Sequence, residues 1–201
     1  MVGRDESARG HALHWLRIDR YYAEGPQGLE SLNLPMFCQQ CGAAPCENVC
    51  PVDATSHNAE GLNVQTYNRC VGTRFCANNC PYEVRRFNWF EPKVLKGRER
   101  LALNPDVSVR SRGVMEKCSF CIQRIQRAEA TARREGRALK DSEVRTACQQ
   151  SCPTQAIRFG DRDDPTQSLR AVESDPRAYG VLEDLGVRPA VTYLVQVRHG
   201  L

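Results

Sequence analysis

The amino-acid sequence predicts an α+β fold in which long loops separate short helices and strands. Two segments in which apolar and polar residues alternate, 13–22 and 61–67, indicate strands. Residues 118–135 place apolar side chains three to four positions apart, which indicates a helix that ends at Gly136. Eleven cysteines fall in tight groups within the 201 residues, mostly in loop-rich segments. We therefore expect the loops to carry the chemistry.

The remaining elements are predicted to be few and short. Residues 1–12 are polar and are expected to be flexible, and recurring glycine and proline mark residues 24–35 as a loop. Further along the chain, the patterns indicate a short helix in 141–150, a strand at 156–159, a helical segment in 168–185 and a last strand at 191–197.

Composition and motifs exclude several classes of protein. The 28 Lys and Arg residues exceed the 24 Asp and Glu residues by only four, too weak a bias for a nucleic-acid-binding protein. No apolar run approaches the roughly 18 residues of a membrane span, and no signal peptide is visible, so the chain is expected to be soluble or peripherally docked. The sequence has no Ser–His–Asp set, phosphate-binding loop or dinucleotide-binding glycine run. We therefore expect no substrate-converting site in this chain.

The cysteines form three groups with metal-ligand spacing. They read Cys38-x2-Cys41-x4-Cys46-x3-Cys50-Pro51, Cys70-x5-Cys76-x3-Cys80-Pro81, and Cys118-x2-Cys121 followed after 26 residues by Cys148-x3-Cys152-Pro153. The odd total and the tight grouping oppose a disulfide scaffold. The repeated Cys-Pro ending and the spacings are close to the ferredoxin run C-x2-C-x2-C-x3-C-P, whose fourth cysteine binds a second cluster. The pattern therefore predicts iron–sulfur clusters.

Two alternatives remain open from the residues alone. The third group could hold structural zinc, and a zinc-stabilised interaction module would be colourless where an iron–sulfur protein is brown. In the second group, Thr73 stands where the ferredoxin run has its second cysteine. Either water or a distant residue fills that coordination position, or the cluster lacks one iron and is of the [3Fe–4S] type.

The chain resembles the four-cluster ferredoxin-type electron-transfer subunits of membrane-bound molybdopterin-type oxidoreductases, and especially the iron–sulfur part of the B subunit of alternative complex III. The resemblance rests on HWLRIDRYY (14–22), FCQQCGAAPCENVCPVDATSHNAEGLN (37–63), YNRCVGTRFCANNCPYEVRRFNWF (67–90), KCSFCIQRI (117–125), ACQQSCPTQAIRFGD (147–161) and RPAVTYLVQVR (188–198). It implies a ferredoxin-like dicluster core with a helix and strand tail, and single-electron transfer within a respiratory complex. An iron–sulfur module of a soluble hydrogenase or dehydrogenase is the alternative.

The resemblance also implies how the cysteines are shared. In the family, cysteines exchange between paired motifs, so Cys38, Cys41, Cys46 and Cys80 would hold a [4Fe–4S] cluster, and Cys50, Cys70 and Cys76 a [3Fe–4S] cluster. Cys118, Cys121 and Cys148 would serve a further [4Fe–4S] cluster whose fourth ligand belongs to a family motif upstream of residue 14, and Cys152 would serve that motif's own cluster. The chain begins after the place where that motif is expected, so either it is a fragment or late-start product, or it has lost the partner of that cluster pair. The third site is expected to be empty or labile unless the motif is supplied.

The expected partners are a molybdopterin-type subunit or domain, a polytopic membrane subunit that interacts with quinone, and a c-type cytochrome subunit, at the periplasmic face of a membrane. Residues 85–90 and 191–197 are the expected contact surfaces. His57 is interpreted as a surface or turn residue rather than a ligand, whereas Arg69, Arg74 and Lys117 either are solvated or raise a cluster's reduction potential. These expectations divide the chain into an N-terminal segment (1–36), a cluster-binding domain (37–165) and a docking tail (166–201).

Overall fold

The computed structural model describes residues 3–25, 28–91 and 95–197. Within these ranges it contains six α-helices and eight short strands, and the strands pair into four antiparallel two-stranded sheets. This mixture of small elements agrees with the predicted α+β class. The chain forms two compact units, one of Met1–Ser119 with Asp184–Ala190 and one of Phe120–Glu183 with Val191–Leu201. The domain boundaries expected at residues 36 and 165 stay a prediction.

The longest sheet is a hairpin in the first unit. Strand β1 (Arg17–Gly25) pairs with β2 (Gly28–Met36) in a register that runs from Arg17 opposite Met36 to Gly25 opposite Gly28. The prediction of a loop at 24–35 is therefore wrong. The glycines that suggested a loop close the hairpin instead, since Gly28 has φ +107°, and Pro35 sits where a two-stranded ribbon tolerates it. Pro26, a further loop signal, lies outside the described residues.

Two other sheets of the first unit lie next to the cysteine groups. Strand β3 (Thr55–His57) pairs with β4 (Asn63–Gln65), and β5 (Arg86–Phe87) pairs with β6 (Met115–Glu116). The strand predicted at 61–67 is confirmed at its centre, and its partner β3 was not predicted. Residues 4–8, expected to be flexible, form helix α1 (Arg4–Ala8), and the acidic residues Asp5 and Glu6 in its first turn favour a helix N-terminus.

Two short helices and a small core position the cysteines of the first unit. Helices α2 (Pro45–Asn48) and α3 (Phe75–Asn78) each carry one cysteine, Cys46 and Cys76 respectively. The side chains packed between the loops are almost fully buried, with 1 to 4% of their surface exposed: Met36, Ala54, Tyr82, Val84 and Met115. The other buried residues include four cysteines and several polar side chains, which leaves a small apolar core for so many loops.

The second unit contains helices α4 (Ile122–Arg134), α5 (Ala147–Ser151) and α6 (Leu169–Glu173), and strands β7 (Ala178–Tyr179) and β8 (Tyr193–Leu194), which pair. The helix predicted at 118–135 is confirmed from residue 122 and ends before Gly136, which has φ +64°.

Four predictions for the second unit are wrong in extent, position or type. The helix of 168–185 stops at Glu173 because Pro176 and Gly180 follow. The strand of 191–197 is confined to β8, and the helix of 141–150 is shifted to α5. Residues 156–159 form no strand, because the backbone N–H groups of Ala156 and Ile157 turn towards the sulfur of Cys152. Among the described residues, no helix is both long and apolar enough to cross a membrane.

Candidate metal centres

The Cys-x3-Cys-Pro sequence folds in the same way three times. In each copy the first cysteine lies on a short helix (α2, α3 or α5), and the second follows the end of that helix. The residue three positions after the second cysteine then adopts a left-handed conformation with φ of 49 to 52°, and its N–H donates to the carbonyl of that cysteine: Asp53 to Cys50, Glu83 to Cys80 and Gln155 to Cys152. The Cys-Pro ending repeated in the sequence is therefore a repeat of backbone structure.

This turn directs backbone N–H groups at the sulfur of the second cysteine. The N–H of Ala54 donates to the Sγ of Cys50 over 3.1 Å. Burial raises the pKa of Cys50, but hydrogen bonds from the N–H groups of Val52, Ala54 and Thr55 outweigh burial and leave that pKa below its ordinary value. In the third copy, the Thr154 hydroxyl and the N–H of Ala156 lower the pKa of Cys152. Concave groups of N–H donors of this kind favour anionic sulfur.

Four cysteines from two groups come together in the first unit. Cys38, Cys41 and Cys46 are buried, and Cys80 from the second group lies near them. Burial raises the pKa of Cys41 to about 12, and the neighbouring sulfurs of Cys38, Cys80 and Cys46 contribute to that rise in that order. The four residues that the resemblance assigned to one cluster are thus close enough for their charges to affect one another.

Three cysteines meet at a second position in the same unit. Cys50, Cys70 and Cys76 line a cavity that opens to solvent, together with Gly72, Thr73 and Met115. Burial raises the pKa of Cys76, and the sulfurs of Cys70 and Cys50 add to that effect. The N–H of Met115 donates to the Sγ of Cys70 over 3.3 Å. Thr73, the residue that interrupts the cysteine run, therefore lines the same cavity as the three cysteines.

Arg85 links the two cysteine sets. It is only 5% exposed, and its Nη1 lies 3.2 Å from the Sγ of Cys46. Its positive charge also stabilises the ionised sulfur of Cys76 and lowers the pKa of that thiol against the effect of burial. The expectation that residues 85–90 form a contact surface is wrong for Arg85 and for Asn88, which is equally buried. Pairing of β5 with β6 turns this segment inwards.

Sequence reasoning missed this role, although one signal was available. On β4, Asn63 and Gln65 are two residues apart and therefore share a face of the strand. Both accept hydrogen bonds from Arg85, Asn63 through Oδ1 over 3.5 Å and Gln65 through Oε1. Two amide side chains on one face of a short strand between cysteine groups indicate a buried polar partner.

Other polar residues around the first set serve as support. The Nδ2 of Asn63 donates to Glu47 and lies 3.8 Å from the Sγ of Cys46, while the Nδ1 of His57 lies 2.9 Å from Glu47. Lys117 is 3% exposed and donates to the carbonyl of Cys118 over 3.0 Å, so it is not a solvated surface charge. Arg69 and Arg74 are exposed.

The tail of the first unit closes over the first set. The N–H groups of Gly42 and Ala43 donate to the carbonyls of Arg188 and Val187 over 2.8 and 3.1 Å. The N–H of Ala190 donates to the carbonyl of Gln39 over 2.8 Å. The loop Cys38–Ala43 is thus paired with a segment almost 150 residues away, which no local sequence pattern indicated.

The third group is divided between the two units. Cys118 belongs to the first, where its carbonyl accepts a hydrogen bond from Gln40 Nε2 over 2.9 Å. In the second, the N–H of Ala147 donates to the Sγ of Cys121 over 3.2 Å, and the Thr146 hydroxyl lies 3.2 Å from the Sγ of Cys148. The assignment of these residues and Cys152 to clusters stays a prediction.

The donor atoms suit iron–sulfur clusters. Buried thiolates need nearby positive charge, and Arg85 and Lys117 both stabilise the ionised form of Cys46. Backbone N–H groups directed at cysteine sulfurs are the donors that tune such clusters. Thiolate-ligated clusters are anionic, so the buried Arg85 also gains the counter-charge that its burial requires.

Comparison with known proteins identifies the family. Residues 29–104 match the family model described as a 4Fe-4S dicluster domain. The chain is 47% identical to the iron-sulfur cluster-binding subunit of menaquinone reductase from Nitratidesulfovibrio vulgaris, over 94% of this chain and 76% of that protein. It is 31% identical to iron-sulfur subunit 1 of the Hdr-like menaquinol oxidoreductase of Archaeoglobus fulgidus, over 89% and 63% of the two proteins. It is 30% identical to the B subunit of polysulfide reductase from Wolinella succinogenes, over 88% and 74%.

These matches confirm the resemblance at the level of the family and the ferredoxin-like class of the fold. They favour the predicted electron-transfer role over the soluble hydrogenase or dehydrogenase module and over a zinc-stabilised module. The nearer likeness to the B subunit of alternative complex III stays a prediction. The chain belongs to the family of iron–sulfur electron-transfer subunits of molybdopterin-type oxidoreductase complexes.

Proposed function

We propose that the chain passes single electrons between two neighbouring clusters of different type, a [4Fe–4S] and a [3Fe–4S] cluster, as part of a membrane-associated respiratory complex. One observation carries the proposal: the two cysteine sets exchange members and share Arg85. Cys80, from the second group, lies with the first set, and Cys50, from the first group, lies with the second. Exchange of this kind is typical of adjacent cluster pairs. The clusters would accept and release the electron, and the chain would hold them close and tune their potentials.

The ligands of the [4Fe–4S] cluster are proposed to be Cys38, Cys41, Cys46 and Cys80. The mutual effect of their charges on the pKa of Cys41 supports this set. The hydrogen bonds from Arg85 and Asn63 to Cys46 would stabilise the thiolate and orient it.

The ligands of the second cluster are proposed to be Cys50, Cys70 and Cys76, with three irons rather than four. The position of Thr73 on the wall of the same cavity supports this stoichiometry. A neutral hydroxyl is a poor ligand for iron beside thiolates, so the corner nearest Thr73 would lack an iron.

The remaining cysteines are proposed to serve further clusters. Cys118, Cys121 and Cys148 would provide three ligands of a [4Fe–4S] cluster whose fourth ligand comes from another segment or subunit. Cys152 would serve the neighbouring cluster of that segment. The Cys-x3-Cys-Pro turn that α5 shares with α2 and α3 supports a metal-binding role for this group.

The proposed partners are a molybdopterin-type subunit, a polytopic membrane subunit that exchanges electrons with quinone, and a c-type cytochrome subunit, with the chain docked at the periplasmic face. A menaquinone reductase and a menaquinol oxidoreductase among the relatives support a quinone-linked complex. Expression of the chain with its neighbouring genes, followed by affinity purification, tests the proposal. Co-purification with a polytopic membrane protein is expected, whereas a free monomer that never sediments with membranes would contradict it.

The cluster type is tested by changing Thr73. We expect the oxidised anaerobic protein to show the paramagnetic signal of a [3Fe–4S] cluster, and Thr73→Cys to remove that signal while iron content rises by one per chain. Thr73→Ser retains a hydroxyl and is the matched control, in which the signal should persist. Absence of the signal from the unmodified protein, with iron in multiples of four, would contradict the proposal.

A further inference from the structure

We infer that Arg85 is a positioning residue shared by both clusters, so that one buried guanidinium raises the reduction potentials of two metal centres. The inference rests on the proposed function, since it assumes that both cysteine sets hold clusters.

The geometry gives Arg85 contact with both cysteine sets. Nη1 reaches the Sγ of Cys46 in the first set over 3.2 Å, and the guanidinium is close enough to Cys76 in the second set to stabilise its ionised sulfur. Nη1 also lies 3.3 Å from the hydroxyl of Thr55. Arginine suits this position because its planar fork presents several N–H donors in fixed directions.

Among the side chains that contact Arg85, the cysteines are the ones that can carry the balancing negative charge. The side chains of Thr55, Asn63 and Gln65 that contact it are neutral. Within the described part of the chain, Arg85 forms no ion pair with a carboxylate, and its buried Nε–H has no hydrogen-bond partner. A buried cation requires compensating anions nearby, and the Sγ of Cys46 lies 3.2 Å from Nη1.

The consequence for electron transfer follows from charge. Reduction adds one negative charge to a cluster, and a nearby buried cation stabilises that charge more than solvated cations do. Because the same guanidinium faces both sets, its removal should lower both potentials together. A surface arginine near only one set should change neither substantially, since solvent screens it.

Redox titration of the anaerobic protein, monitored by electron paramagnetic resonance, tests the inference. In Arg85→Gln, we expect the one-electron equilibrium at each of the two clusters to shift at least tenfold towards the oxidised form, which corresponds to ~59 mV. Arg69→Gln is the matched control, because it removes the same charge beside Cys70 but from an exposed side chain. In Arg69→Gln, the one-electron equilibrium at each cluster should stay within about a factor of two of its value in the unmodified protein.

Arg85→Lys keeps the inference testable if Arg85→Gln fails to assemble. Its ammonium is a point charge without the planar fork, so at least one potential should fall while the iron content is retained. Unchanged potentials at both clusters in Arg85→Lys, or a shift at only one cluster in Arg85→Gln, would overturn the inference. Iron and sulfide content is measured first in each preparation. An unmodified protein without the two clusters would refute the proposed function itself, whereas intact clusters with unmoved potentials would refute only the role of Arg85.

Discussion

Single residues with left-handed backbone conformations shape the cysteine loops. Gln40 (φ 48°) lies inside the first Cys-x2-Cys turn, and Arg74 (φ 63°) precedes helix α3. Such conformations cost roughly 1 kcal/mol for a residue with a side chain, so the surrounding hydrogen bonds must hold them. Gly72 has φ +74°, and a Cβ there would overlap the carbonyl oxygen of Gly113. Gly72 therefore needs to be glycine for space as well as for conformation.

We predict that Gly72→Ala selectively disrupts the second cysteine set. The added methyl must displace the backbone at Gly113, two residues before Met115, whose N–H donates to Cys70. Gly61→Ala is the matched control: Gly61 has φ +76° but open space around it, so its cost should be about 1 kcal/mol. Thermal unfolding and the spectrum of the oxidised protein provide the measurements. Equal behaviour of the two variants would show that the contact with Gly113 is unimportant.

At the scale of elements, the segment Asp184–Ala190 matters more than its small amount of regular structure suggests. Its backbone pairs with the loop that carries Cys38 and Cys41, and the Val187 side chain is 8% exposed. The hairpin β1–β2 is less buried than its length suggests, because most of its residues are exposed and its buried end lies at Met36. A short, mostly irregular segment thus contacts the loop of the first cysteine set, whereas the residues of the longest strands lie mainly on the protein surface.

We predict that Val187→Ala weakens the first cysteine set. Loss of the buried methyl groups should lower the free energy of unfolding by about 2 kcal/mol, and the first cluster should release iron to a chelator faster than the second. Val195→Ala provides the control, since Val195 is 52% exposed and its truncation should change stability by less than about 0.5 kcal/mol. Parallel loss of both clusters in Val187→Ala would mean that the segment supports the unit as a whole.

At the scale of the whole molecule, cysteines far apart in sequence share a site. Cys80 joins residues of the first group across more than 30 positions, and Cys50 joins the second group. The small apolar core cannot hold so many loops strongly, so bound clusters would provide much of the stability of the fold. Removal of iron should accordingly loosen the cysteine loops.

We predict that the 201-residue chain, prepared anaerobically, holds about seven irons tightly, one [4Fe–4S] and one [3Fe–4S] cluster. The third group should be empty or lose iron first, because Cys118, Cys121 and Cys148 provide only three ligands and the fourth is proposed to come from another segment or subunit. Iron and sulfide analysis before and after mild chelation measures this. A stable content near eleven irons would show that Cys118, Cys121, Cys148 and Cys152 close a cluster by themselves.

Much of the chemistry could be predicted from the sequence, because ligand spacing is local. The Cys-x2-Cys and Cys-x3-Cys-Pro patterns indicated clusters, the gap at Thr73 marked an unusual site, and Gly136 marked the end of α4. The hairpin was missed because the same glycine and proline signals mark a loop and a tight turn between strands.

Tertiary structure alone decided which distant groups meet. The burial of Arg85, the pairing of Val187 with the first cysteine loop and the position of Lys117 depend on contacts between segments far apart in sequence. Arg85 and Arg86 are indistinguishable as letters, yet the first lies between two cysteine sets and the second is half-buried at a strand edge. Local patterns specify what a segment can bind or form, whereas burial and charge neighbours arise only when the segments pack together.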